Sequence, residues 1–164
     1  MDVGFKILQK ETYLRMIENS IGTKQFSSII VKRNGSDETE DILQNGNYSC
    51  AFFVSSLLTI CRMLKEPRTT VKGVRENILS SPQWEEIYSE VSPGDIIFWE
   101  KVKFDNGSEN EHVGFAFNSH EAISTSDKER MVVRHHITSG LNEAGQPKRK
   151  ITAMFRYKFL DQNL

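Results

Sequence analysis

Residues 47–61 read NYSCAFFVSSLLTIC and set Cys50 at the head of a long apolar run, just behind a loop rich in Asn and Gly. From residue 50 to about residue 64 the apolar positions Ala51, Phe52, Phe53, Val54, Leu57, Leu58, Ile60, Met63 and Leu64 fall on nearly every side of a helical wheel. A helix that is apolar all round belongs inside a protein, so this segment is expected to be the central buried helix. Ser49 or Asn47 is the expected cap, because a side-chain oxygen there can accept from the first free backbone N–H groups. Pro67 follows the end of the run. Cys50 is thus either a small core residue or a nucleophile held at a helix head.

Working outward, Leu8, Leu14, Ile17 and Ile21 recur at spacings of three to six residues and suggest an amphipathic first helix ended by Gly22. FSSIIV reads as a short strand, and the polar, acidic KRNGSDETEDILQNGN as a surface loop with two Asn-Gly turns. A more polar helix is expected over residues 70–79, and SSPQWEEI then leads to a turn. The second half changes period. GDIIFWE, HVGFAF, EAISTS, MVVRHHIT and ITAMFRYKF are short β-rich runs bounded by Gly, Asn, Asp or charged residues, the pattern of an antiparallel sheet. Helices first and strands after give an α+β fold with the Cys50 helix packed on one sheet face.

The chain of 164 residues suffices for one core but hardly for two, so residues 1–164 are read as a single domain, expected to be monomeric. With 26% charged residues and a net charge of -1, nothing favours a polyanion, and nucleic acid is not expected as a partner. The basic cluster Lys148, Arg149, Lys150 follows Pro147 at the expected start of an edge or closing strand and is read as a solvated turn without function. No window approaches a membrane helix, and MDVGFKILQK has neither a basic n-region nor a long h-region. A cytoplasmic location is therefore expected for the chain as given, or a cell-wall or extracellular one for a processed or phage-borne form. Two cysteines do not make a disulfide framework, and 11 residues along one helix separate Cys50 from Cys61 by roughly 16 Å. Four histidines raise the question of zinc, but no close ligand pair such as C-x-x-C occurs, and no metal or other cofactor is expected. Gly-rich phosphate loops are also absent.

A helix N-terminus favours a thiolate through its dipole and free N–H groups, which can also hold an oxyanion. His112 stands at the mouth of the HVGFAF strand, where an imidazole can face a cleft and accept a thiol proton. YSCAFFVSSLL, VSPGDIIFWE, EHVGFAF and EAISTS, in this order over about residues 45–137, resemble the NlpC-type branch of the papain-like superfamily, which also resembles the CHAP amidases. The resemblance implies a papain-like fold and a cysteine peptidase or amidase acting on a peptide, most often from the cell wall. It makes Cys50 the nucleophile and His112 the general base.

The family's third member, which orients the imidazole, falls at Ser124, where many relatives carry His, Asn or Gln. A hydroxyl stabilises imidazolium less than a carboxylate does, so VVRHHIT is a second source. Neighbouring strand residues face opposite ways, so only one of His135 and His136 can share the face of His112, and His136 is taken as that residue. His120 is expected to be exposed in a hairpin turn, and Tyr48 to line the cleft or pack on the helix head. A second departure is Ser49-Cys50-Ala51-Phe52 where many relatives have Asp-Cys-Ser-Gly. Two other readings remain: an inert peptide- or partner-binding module of the same fold, and a thiol acyltransferase.

Overall fold

A computed structural model of the protein describes residues 4–103 and 107–159. Residues 1–3, 104–106 and 160–164 lie outside the described residues, and with them the opening of the segment read for an export signal. Helix α1 (Gln9–Asn19) is followed by strands β1 (Ile30–Lys32) and β2 (Thr39–Asp41), then α2 (Cys50–Ile60) and α3 (Val71–Leu79). Strands β3 (Trp84–Glu86), β4 (Ile96–Lys103), β5 (Glu109–Ala116), β6 (Glu121–Ser126), β7 (Met131–His136) and β8 (Ile151–Tyr157) complete an α+β fold. They form one antiparallel sheet in the order β3-β8-β4-β5-β6-β7. Among the described residues no helix is long and apolar enough to cross a membrane.

The alternation of strand side chains sorts this sheet into two unlike faces. Ile96, Phe98, Val113, Phe115, Ile123, Val132 and Phe155 join buried residues of all three helices in the main core. There Phe53 and Phe115 meet edge to face, 5.4 Å between centroids. Ile97, Trp99, Ala116 and Ala122 point the other way and pack with Ile137 and Ile151, from the chain between β7 and β8 and from the start of β8. Both faces of β4 are therefore covered, which is why IIFW reads as a continuous apolar run. The Trp99 indole N–H donates to the Ile137 carbonyl, so that ring is buried without losing its hydrogen bond.

The Pro-Gly-Asp turn before β4 locks the first helix to the sheet. The Tyr13 hydroxyl donates to the Gly94 carbonyl at 2.7 Å. Gly94 sits at φ +88°, and a Cβ there would come within 2.8 Å of both Tyr13 and Leu14, so glycine is required twice over. Asp95, 3% exposed, takes Nε and Nη2 of Arg156 in a two-pronged ion pair and also accepts the Ser92 N–H.

Several local expectations change. Leu8 and Ile21 are exposed and flank α1, whose inward face is Tyr13 and Ile17. The acidic loop contains β2, paired with β1, and Asp41 gathers the backbone N–H groups of Ile29, Leu43 and Asn45. WEE forms β3 rather than leading directly into a turn. β8 lies inside the sheet, between β3 and β4, so the basic cluster before it does not open an edge strand.

Candidate active site

Cys50 is the first residue of α2, and neither expected side chain caps that helix. Ser49 is at the cap position, but its hydroxyl donates back to the Gly46 carbonyl at 3.0 Å, and the Asn47 amide reaches Gln44. The backbone N–H groups of Val113 and Ala51 instead act on the thiol and favour its anion. Val113 is available because β6 pairs with β5 only at Phe115↔Ile123 and Ala116↔Ala122. Burial pushes the Cys50 thiol above its ordinary pKa, while these N–H groups and the charge of Arg149 pull it partly back. Cys61, the C-cap of the same helix, is buried against the Met16 sulfur, and both thiols are free.

On the Trp99 face of the sheet a chain of hydrogen bonds leads away from His112. Its Nε2 lies 2.8 Å from the Ser124 hydroxyl, which lies 2.7 Å from His135 Nε2, and His135 Nδ1 is 2.8 Å from the His136 carbonyl. The carbonyl can only accept, so His135 Nδ1 carries a proton. In the neutral ring its Nε2 is then bare and accepts from the serine O–H. The serine oxygen in turn accepts from His112 Nε2–H, which leaves His112 Nδ1 with a free lone pair. One carbonyl thus sets two tautomers and the serine rotor.

Packing holds this chain in place. Both imidazoles lie beside Trp99, with centroids 5.4 and 5.8 Å from its ring. A Cβ on Gly114 would meet the Ile123 carbonyl and Ser124 Cβ at 2.8 Å each, so the glycine of His-Val-Gly is what lets Ser124 approach. Burial, then the charges of Arg149 and His135, push His112 down to about 3, and burial likewise lowers His135. At neutral pH the resting site holds a neutral thiol and neutral imidazoles.

Cys50, His112, Ser124, His135 and Tyr48 line one cleft of about 570 Å³. His136 does not. It pairs with Glu121, so it faces the other way, and its Nδ1 accepts the N–H groups of Thr138 and Gly140. The choice of His136 is corrected to His135, which pairs with Ala122 and shares the face of Ser124. Only the β6–β7 register decides between them, and HH carries no sign of it. His120 is exposed in the turn between β5 and β6.

Arg149 is the residue sequence reasoning missed. Lys148 and Lys150 are exposed, but Arg149 turns into the cleft, half-buried. Its Nε donates to the Glu100 carbonyl at 3.2 Å and its Nη2 to the Asn110 carbonyl at 3.0 Å. Its place depends on β8 pairing with β4, a contact some 50 residues apart with no local signature. Among the described residues no group of three His, Cys, Asp or Glu is placed to hold a metal ion. No family model matches the chain, and no curated protein is detectably similar to it in sequence.

Proposed function

We propose that the protein is a cysteine-dependent hydrolase with a papain-like arrangement, cleaving an amide bond in a peptide. The observation that carries this reading is the oriented His112–Ser124–His135 chain, which leaves His112 Nδ1 bare in the cleft that holds Cys50. In the first step His112 takes the thiol proton as sulfur attacks the carbonyl carbon. Backbone N–H groups at the uncapped head of α2 hold the oxyanion. The C–N bond then breaks, His112 returns the proton to the leaving amine, and a thioester remains. Water, deprotonated by His112, attacks the thioester and releases the acid and the free thiol.

A hydroxyl suits this resting state. The His112 Nε2–H bond to Ser124 is the same whether the ring is neutral or protonated, so catalysis requires no rearrangement of the chain. The resemblance to NlpC-type peptidases makes peptidoglycan stem peptides the substrate to test first. Incubation with peptidoglycan fragments, with mass spectrometry of the products, should reveal one cleaved amide bond that Cys50→Ala leaves intact. Identical cleavage by Cys50→Ala would end the proposal.

An inert peptide-binding module of the same fold is the second reading, and the raised pKa of Cys50 favours it. The two readings differ in the alkylation rate of Cys50. A nucleophile should label faster than the buried Cys61 near neutral pH, whereas slow, equal labelling of both cysteines in the folded protein would favour the module.

A further inference from the structure

The cleft contains a fixed cation that the steps above do not use. Arg156, partly buried on the sheet, is matched by Asp95 and the exposed Arg134 by Glu121, while the half-buried Arg75 lies over the Phe98 ring, donates to Thr152 and has no ion pair among the described residues. Arg149 makes no ion pair among the described residues. Glu100 and Asp127 act on its charge only from beyond ion-pair distance. Two backbone carbonyls fix the plane of the guanidinium but supply no net negative charge. A guanidinium has five N–H donors in a rigid fork, and these two bonds leave the remaining donors for a ligand in the cleft.

We infer that Arg149 is an anion-recognition residue, and that the substrate carries a carboxylate close to the bond attacked by Cys50. This rests on the hydrolase reading above. A carboxylate is the acceptor that matches the fork and occurs in peptides, as a terminal group or an acidic side chain. Its arrival also removes a conflict. The charge of Arg149 opposes protonation of His112, the event general-base catalysis needs. A bound carboxylate neutralises that charge, so a substrate with the right group eases proton transfer as it binds, and one without it leaves the base opposed.

Iodoacetate and iodoacetamide test this on the intact protein. Both react as the thiolate displaces iodide and forms an S–C bond, and only iodoacetate carries a carboxylate beside the reacting carbon. The ratio of their rates cancels any change in the thiolate fraction. At Cys50, followed by peptide mass mapping, that ratio should exceed the ratio for free cysteine by about tenfold, the size expected of a partly desolvated guanidinium–carboxylate pair. Arg149→Gln should remove most of the preference and Arg149→Lys part of it. Lys101→Gln, which removes another cation lining the cleft, should leave it within about twofold. An unchanged ratio in Arg149→Gln, or an equal fall in Lys101→Gln, would overturn the inference. Wild-type protein suffices if Arg149→Gln does not fold, because a Cys50 ratio no higher than that of free cysteine also overturns it. Cys50 inert to iodoacetamide even at alkaline pH would instead remove the thiol reading, and the subsite with it.

Discussion

The two faces of β5 are built from alternate residues of one strand and behave as different materials. Val113 and Phe115 are wholly buried under α2, where contact with Phe53 and the helix is non-directional and any well-filled apolar volume would serve. His112 and Gly114 face Trp99 and Ser124, where a one-residue slip would separate every donor from its acceptor. One face holds the strand in place and tolerates change of shape. The other holds protons in place and tolerates very little.

Substitutions on the two faces should therefore fail in different assays. The largest effect is expected from His112→Ala, which should lower turnover by roughly two to four orders of magnitude while leaving the fold intact. Wild-type rates in that variant would break the division at its centre. On the opposite face Phe115→Ala should cost about 3–5 kcal/mol in urea unfolding, with activity lost only as the protein unfolds. A catalytic defect in folded Phe115→Ala would mean that the faces are not independent.

Gly114→Ala tests the boundary, since its Cβ enters the space of Ser124 from the backbone side. It should cost about 1–3 kcal/mol of stability and also reduce turnover, because Ser124 must shift. Smaller still, His135→Ala should lower turnover by about tenfold and His136→Ala by less than twofold, with His135→Gln partly restoring activity through its amide. The reverse order would show that the carbonyl-anchored chain does not orient His112.

A last contrast lies in the pH dependence of stability. The folded pKa of His112, about 3, is below its unfolded value near 6.5, so the unfolded chain binds the extra proton between these limits. Stability should be complete above about pH 6.5 and fall as the pH drops towards 3, and His112→Asn should flatten that slope. His135 has the same sign and should leave a residual slope. Asp41, lowered to about 2, acts only below about pH 4, where its carboxylate loses the N–H groups of its loop, so the two windows are separable.

Much of the architecture could be read from the chain alone. α2 and α3 and the five main strands follow from period and punctuation, because each depends on which residues of a short window must leave water. Cys50 was visible for a related reason, since it sits where a helix begins and element starts are local events; His112 was legible only as the switch from polar to apolar residues, because β5 begins three residues earlier, at Glu109. β3 escaped because three residues carry too little pattern, and the helix cap because Ser49 donates to Gly46 instead of accepting from the helix.

What tertiary structure alone decided is which side chains converge. His135 rather than His136 follows from the register of β7 on β6, and Arg149 enters the cleft because β8 inserts between β3 and β4. Hydrophobic periodicity states that a residue faces one side of its own strand. The neighbour it meets there depends on strand order and register, set by contacts distant in sequence. The sequence by itself determined the main elements and singled out Cys50 and His112; the assembled sheet determined the hydrogen-bond chain and the charge that face them.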